Sequence, residues 1–248
     1  MALQLIQNVG EYVTIIFEAF KRPDKGSVFR RQLMSDFAAL GLESFGIMAF
    51  ISVFMGAIIT IQMAYNIDSP FIPLYTIGFS ARQMMVLEFS PTILSLIFAG
   101  KVGSRIASEI GTMRVTEQID ALKVMGVNPA NYLILPKITA AVIFNPVLII
   151  FSIFLGLVGG WVAGSATGLV PSDDFILGMR SWFEPFTITY ALIKTVVFAF
   201  IITSVSAYKG YTVKGGSVEV GKASTDAIVI SSVLIIVFDL ILTQMLLV

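Results

Sequence analysis

Long apolar stretches without a charged residue are the feature that most constrains this chain. No charge occurs between Glu43 and Asp68, or between Lys137 and Asp173. A membrane-crossing helix needs about 20 apolar residues, so each stretch is long enough to span a bilayer. Charged residues make up 13% of the chain, against about 25% in typical soluble domains. These features exclude an ordinary soluble globular fold.

The hydropathy pattern predicts an all-α integral membrane protein with five transmembrane helices. We place them at about Ser44–Tyr65, Ser80–Ser104, Ile138–Gly168, Pro185–Tyr208 and Ala223–Val248. Five crossings cannot form two equal inverted halves, as they do in many secondary transporters, so two-fold symmetry would need two copies of the chain. The whole chain, 1–248, is one membrane-embedded domain, with an interfacial helix and a basic elbow in 1–36 and the transmembrane bundle in 44–248.

The N-terminal segment from Leu3 to Phe20 predicts an amphipathic helix that lies in the membrane interface. Its polar residues recur three or four positions apart, with apolar residues between them. Basic residues follow the apolar stretch, whereas in a secretory signal they precede it. Most of the 16 Lys and Arg residues fall in 21–31, 101–137 and 209–222. The positive-inside rule therefore predicts a cytoplasmic N-terminus and a periplasmic C-terminus.

Three of the charged residues inside the predicted crossings lie far from the ends of their helices: Glu88, Lys194 and Asp239. Counted from the outer helix ends at a 1.5 Å rise per residue, all three lie roughly 12–14 Å deep. A lone charge near the bilayer centre costs about 2.5–3.5 kcal/mol, so we expect the three to be neighbours around a shared polar interior. The pattern leaves two interpretations open: a cavity or gate for a polar head group, or a structural ion pair with Lys194 reaching outward.

A stripe of glycines on the third crossing predicts close helix packing. Gly156, Gly160, Gly164 and Gly168 recur every four residues. Repeated G-x-x-x-G spacing leaves a bare face that lets another backbone approach. The alternative is a flexible point in a transport cycle.

The residue types present exclude several kinds of site. The chain has no Cys and no His, so thiolate and imidazole metal sites and Ser-His triads are excluded. The segment from Gly216 to Ala223 nearly matches a phosphate-binding P-loop, but Ala223 stands where Ser or Thr is required and a membrane crossing precedes it. We therefore predict that this chain binds no nucleotide.

The stretch from Arg105 to Asn131 carries too many charges to cross a membrane and predicts a short amphipathic helix. Thr116 is the candidate N-cap, with Ile119, Leu122 and Met125 on one side. Such a helix fits a groove on a soluble partner, or it lies on lipid head groups.

Several runs of residues carry a resemblance to a known family. They are Ala99–Ser104, Glu109–Leu122, Met125–Pro129 and Gly221–Thr225. Together they resemble the permease subunit of Mla-type (MlaE-like) ABC lipid transporters, with Lys101 where Arg and Ser90 where Gly are expected. The resemblance implies a homodimer in the inner membrane of a double-membraned bacterium. Its partners would be two copies of a cytoplasmic ATPase, which binds the ATP and Mg, and a periplasmic ring of MCE-domain protein. The substrate would be phospholipid moving between the two membranes, and this chain would need no cofactor.

The resemblance also implies roles for particular residues. The segment matching the family's ATPase-coupling helix comprises Val115, Thr116, Glu117, Gln118, Asp120, Ala121, Leu122 and Met125. A two-fold cavity would have apolar walls, for which the candidates are Phe54, Ile58, Ile61, Tyr65 and Phe89. Gln62 and the three internal charges would meet polar groups. Two other functions stay open: an intramembrane enzyme using Glu88 and Asp239 as paired carboxylates, and an ion-coupled carrier using Lys194 and Asp239 as a proton relay.

Overall fold

The computed structural model describes residues 2–21, 26–67 and 71–247, and this part of the chain is helical apart from short connections. Arg22 and Lys25 of the predicted basic elbow lie outside it. The helices are α1 (Ala2–Ala19), α2 (Gly26–Asp36), α3 (Glu43–Asn66), α4 (Tyr75–Met84), α5 (Leu94–Phe98), α6 (Ser104–Val115), α7 (Gln118–Val124), α8 (Pro129–Ala166), α9 (Ser172–Arg180), α10 (Phe186–Tyr211) and α11 (Ser217–Leu247). Short π-helical segments, Phe37–Leu42, Met85–Ile93 and Ala99–Gly103, join α2 to α3, α4 to α5 and α5 to α6.

Among the described residues, five continuous helical rods are long and apolar enough to cross a membrane, the number that the hydropathy pattern predicts. They are Gly26–Asn66, Tyr75–Val115, Pro129–Ala166, Phe186–Tyr211 and Ser217–Leu247. The rods extend beyond the predicted crossings because a helix continues into the polar region after its apolar stretch has ended. The basic segment 209–222 is partly helical for this reason: α10 runs to Tyr211 and α11 begins at Ser217. We call the end of the bundle that carries α7 the α7 end, and the opposite end the α9 end.

Small and polar side chains, not large apolar ones, pack between α3 and α8. Ser52 and Gly56 of α3 are buried, and Gly156 of α8 lies so close that a side chain on Gly56 would meet its backbone. Most of the large apolar side chains of α3 are exposed, among them Phe50, Phe54 and Ile58, while Met48 and Ile59 are buried. This is the arrangement expected in lipid, where burial of Leu or Phe drives no association and close backbone contact does.

The glycine stripe contributes to this contact at three of its four positions. A Cβ on Gly156 would meet Met85, and one on Gly160 or Gly164 would meet Thr60. Gly168 is different: α8 ends at Ala166, and Gly168 has φ +71° with open space around it. The prediction that Gly168 belongs to the packing stripe is therefore wrong.

Helix α9 was not predicted from the sequence. The C-terminal end of α9 is held by a buried arginine, Arg82 of α4. Its guanidinium donates to the carbonyl oxygens of Ser181 (3.0 Å) and Trp182 (3.2 Å) and to that of Met179. The last carbonyls of a helix lack intrahelical donors, and a guanidinium with five N–H groups satisfies several at once. The partners lie about 100 residues apart in sequence, so local patterns give no sign of the contact.

The predicted N-terminal helix is present as α1, and it packs against α8 and α10. Asn131 at the start of α8 donates to the carbonyl of Ala19 at 2.7 Å. The Tyr12 hydroxyl donates to Ser204 Oγ at 2.8 Å, and burial raises the pKa of Tyr12, so the phenol stays neutral. These contacts fix α1 against the bundle, while its position at a membrane interface stays a prediction.

Candidate functional site

The three internal charges meet inside the bundle, as the depth count predicted. The Lys194 ammonium on α10 lies 2.5 Å from Asp239 Oδ1 on α11 and 3.3 Å from Glu88 Oε1 on the second rod. The side chain of Lys194 is fully buried, and the ring of Tyr190 lies 4.8 Å from its nitrogen. We call Glu88, Lys194 and Asp239 the central ionic cluster.

The π-helical segment around Pro91 shapes this cluster. Pro91 has no N–H, so the carbonyl oxygen of Leu87, four residues earlier, lacks its α-helical donor. The Lys194 ammonium donates to this oxygen at 3.1 Å. One turn further, Thr92 Oγ1 donates to Asp239 Oδ1 at 2.9 Å and lies 3.4 Å from Glu88 Oε2. The irregular backbone thus supplies a ligand for the buried cation, as in discontinuous transporter helices.

The carboxylates of the cluster differ in exposure. The side chain of Asp239 is 19% exposed and that of Glu88 is 50% exposed, while Lys194 is 0% exposed. Lys194 therefore does not reach outward, and that form of the structural interpretation is wrong. Two carboxylates share one cation here, and Glu88 is the one that reaches the surface of the bundle. This side chain is the part of the cluster that a cationic or hydrogen-bonding group of a ligand can reach.

The predicted apolar cavity walls lie on an open face of α3. Four of these candidates are exposed and follow one another at helical spacing: Phe54, Ile58, Ile61 and Tyr65. Gln62 is exposed beside them. Phe89 is half-buried and packs against a cluster that contains Ile59, Ile77 and Met85. The single chain therefore does not enclose a space between the α3 candidates, and a second surface is required to complete one.

A second buried lysine lies at the α7 end, and its burial was not predicted from the sequence. Lys137 of α8 contacts Asp36 Oδ1 of α2 at 3.1 Å and Glu109 Oε1 of α6 at 2.8 Å. Its side chain is 2% exposed. Lys137 thus joins three rods next to α7. Two carboxylates from different helices converge on one buried cation here too.

Helix α7 connects the second rod to α8 and differs in detail from its prediction. Thr116 does not cap it: its hydroxyl donates back to the carbonyl of Thr112 in α6 at 2.8 Å, and Glu117 precedes the helix with φ 61°. Arg114 donates to Asp120 at 2.8 Å, and this hydrogen bond lowers the pKa of the Asp120 carboxyl. Asp120 therefore stays ionised at neutral pH and helps to fix the orientation of α7.

The two faces of α7 have different environments. Ile119 is fully buried and anchors the helix to the bundle, and Leu122 is half-buried against the core. Val124 and Met125 are exposed at 89% and 67%, so the prediction that Met125 lies on the same side as Ile119 is wrong. The other predicted coupling residues are half-buried at Val115 and Asp120 and exposed at Thr116, Glu117, Gln118 and Ala121. Val124, absent from that prediction, is the most exposed apolar residue of the helix.

In the described part of the chain, five membrane-length rods and a cluster of ionisable side chains between them define a polytopic helical membrane protein with a polar interior. Intramembrane charges of this kind mark the pathways of transported substrates and ions. These features are typical of membrane transport proteins.

Comparison with known proteins identifies the family. Residues 33–245 match the family described as Permease MlaE. The chain is 32% identical to a probable ABC transporter permease protein of Rickettsia prowazekii, over 98% of this chain and 93% of the relative. It is also 32% identical to the intermembrane phospholipid transport system permease protein MlaE of Haemophilus influenzae, over 85% of this chain and 81% of the relative. The chain belongs to the MlaE permease family, the family that the sequence resemblance predicted.

Proposed function

We propose that the chain is the permease subunit of an ABC transporter that moves phospholipid between the inner and outer membranes. A separate cytoplasmic ATPase subunit would supply the energy, and a periplasmic MCE-domain protein would continue the path. The observation that carries the proposal is the central ionic cluster, placed within an apolar bundle that belongs to the MlaE permease family. The name of the Haemophilus influenzae relative supports phospholipid as the substrate.

The proposed substrate path lies between two copies of the chain. Large apolar side chains along one face of α3, among them Phe50, Phe54 and Ile58, are exposed in the single chain. An exposed apolar face of this size marks an interaction site or a lipid-facing surface. Pairing of two such faces in a homodimer would enclose an apolar space suited to acyl chains. Glu88, half-exposed, would contact the polar head group, and Lys194 would hold Glu88 in place.

Helix α7 is proposed as the contact with the ATPase. It projects between two rods, is anchored by Ile119 and presents Val124 and Met125 outward. Exposed apolar residues on a short anchored helix fit a groove on a soluble partner. The neighbouring Lys137 cluster would transmit movement of α7 to α2, α6 and α8, because the buried lysine joins all three.

Reconstitution tests the proposal. The permease and its ATPase are placed in proteoliposomes, and ATP-dependent movement of a fluorescent phospholipid is measured. We expect Glu88→Gln to lower the transport rate about tenfold or more, because a charge-assisted hydrogen bond of about 1.5–3 kcal/mol to the head group is weakened. Glu184→Gln, which changes an exposed carboxylate, is the matched control and should transport normally.

The same proteoliposomes distinguish the proposed function from the two alternative functions. Lipid turnover by the permease alone would support an intramembrane enzyme, and transport driven by a pH gradient without ATP would support an ion-coupled carrier. Either result, or equal rates for Glu88→Gln and Glu184→Gln, contradicts the proposed role of the cluster.

A further inference from the structure

A groove on the outer face of the bundle lies away from the exposed α3 face to which the proposed function assigns the transport path. Helices α1, α10 and α11 line a cavity of about 780 Å³. Its walls include Val9 of α1, Phe200 and Ile201 of α10, and Ile230 and Leu234 of α11. We call this space the α1–α10–α11 groove.

The groove is apolar at one end and charged at the other. Val197 of α10 and Phe238 of α11 line the deep end, one turn from Lys194 and beside Asp239. Polar side chains line the mouth, at the α7 end. They are Asn8, Glu11, Tyr12, Tyr208, Lys209, Thr212 and Lys214. The polarity thus runs in one direction, as it does along a single lipid molecule.

The length of the groove equals the thickness of one leaflet. Val197 of α10 and Thr212, the first residue after this helix, are 15 residues apart, which at 1.5 Å per residue makes about 22 Å. Half of a bilayer of about 40–45 Å, including head groups, is about 20–22 Å. A diacyl lipid standing in the groove would therefore place its head group at the lysines and its chain ends near the level of the central ionic cluster.

Two lysines lie at the mouth, where the phosphate of a lipid in the groove would be. Lys214 is exposed there, and Lys209 lies beside it, with its ammonium 3.4 Å from Asp226 Oδ2. Glu11 is the acidic side chain that lines the mouth, and Tyr208 donates to its Oε2 at 3.4 Å. A lysine close to a membrane surface attracts anionic lipid by about 1 kcal/mol, and Lys214 is the more exposed of the two.

Helix α1 is held as a fixed wall of the groove. The rings of Tyr12 and Tyr208 meet edge to face with centroids 5.6 Å apart, and Tyr12 also bonds Ser204 on α10. A wall fixed in this way distinguishes the groove from the open lipid-facing surface of α11, where Val233 and Ile236 are exposed without a covering element.

We propose that the α1–α10–α11 groove binds one phospholipid molecule from the leaflet at the α7 end, with its phosphate at Lys209 and Lys214. The bound lipid would join α1 to the last two rods, separately from any lipid that is being transported.

Tryptophan quenching by a brominated lipid tests this site. The chain has two Trp residues, Trp161 and Trp182, and both are first replaced by Phe in the full-length chain. Ile230→Trp then reports from inside the groove, and Val233→Trp reports from the open face of the same helix. The purified protein in detergent is titrated with phosphatidylglycerol that carries a brominated acyl chain.

We expect saturable quenching at one lipid per chain for Ile230→Trp and only a gradual, unsaturated decrease for Val233→Trp. Lys214→Glu should raise the apparent Kd at least about fivefold, which corresponds to the loss of one interfacial lysine. Lys222→Glu, an exposed lysine outside the groove, should leave it unchanged. Brominated diacylglycerol, which lacks the phosphate, should bind as weakly as phosphatidylglycerol binds to Lys214→Glu.

Identical, unsaturated quenching at both reporter positions would overturn the proposal, as would tight binding of the diacylglycerol. If Ile230→Trp does not fold, Val9→Trp reports from the opposite wall with the same expected result. Transport is not measured in this experiment, so its outcome is independent of the role proposed for Glu88.

Discussion

At the scale of single residues, buried lysines hold this protein together. Lys194 and Lys137 are each paired with two carboxylates from other helices, near the middle of the bundle and at its α7 end. Removal of one partner from a buried pair leaves an uncompensated charge, which costs far more than the loss of an exposed pair. We therefore expect each buried lysine to contribute more to the free energy of unfolding than a surface ion pair such as Arg105–Glu43.

Lys137→Met should lower the free energy of unfolding by about 3–5 kcal/mol, because Asp36 and Glu109 would be left without their cation. Arg105→Met, on α6 at the same end of the bundle, removes a pair whose side chains are 43% and 58% exposed, and should cost about 0–1 kcal/mol. Thermal unfolding of both variants in detergent measures the difference. Equal losses would show that the Lys137 cluster contributes no more than a surface pair.

Of the two buried lysine clusters, only the one around Lys194 could be predicted from the sequence. The depth count predicted that Glu88, Lys194 and Asp239 are neighbours, because helix rise is constant and a lone intramembrane charge is costly. No comparable pattern in the sequence predicts that Lys137 is buried. It lies at the edge of an apolar stretch, where a lysine ordinarily reaches solvent, and only the packing of three helices around it excludes water.

At the scale of elements, the contact between α3 and α8 depends on the absence of side chains. Gly160→Leu should separate the two helices, because its side chain would collide with Thr60 and with the backbone of Gly56. Gly221→Leu, in open space near the start of α11, is the matched control and should fold normally. Size-exclusion chromatography with thermal unfolding compares them. A normal melting temperature for Gly160→Leu would contradict the close packing.

Helix α7 yields a second prediction at this scale. Val124→Asp should release the ATPase while the permease stays folded, because Val124 is almost fully exposed and its loss disturbs no internal contact. Lys222→Asp, exposed at the same end of the bundle, is the control. Co-purification of the ATPase at wild-type stoichiometry with Val124→Asp would contradict the proposed contact. Asp120 is unsuitable for this test because its bond to Arg114 fixes the helix.

At the scale of the whole molecule, the distribution of basic residues predicts which end of the bundle faces the cytoplasm. The chain has no cysteine, so single-cysteine variants need no other change. Val124→Cys at the α7 end and Trp182→Cys at the α9 end both replace exposed side chains. In intact spheroplasts, an impermeant thiol reagent should label Trp182→Cys and not Val124→Cys. The opposite pattern would invert the topology and remove the basis for ATPase contact through α7.

Hydropathy is enough to predict five membrane-length helices, and helix rise is enough to place three charges at one depth. Both predictions rest on local properties of the chain, namely the hydropathy of a short stretch of residues and the constant rise per residue of a helix. Tertiary structure alone decided that Arg82 caps α9, that Lys137 joins three rods, that Gly168 lies outside the glycine contact and that α1 encloses a groove with α10 and α11. These contacts join residues that are mostly far apart in sequence, and they depend on how each helix is rotated about its axis and where it ends, which only packing sets.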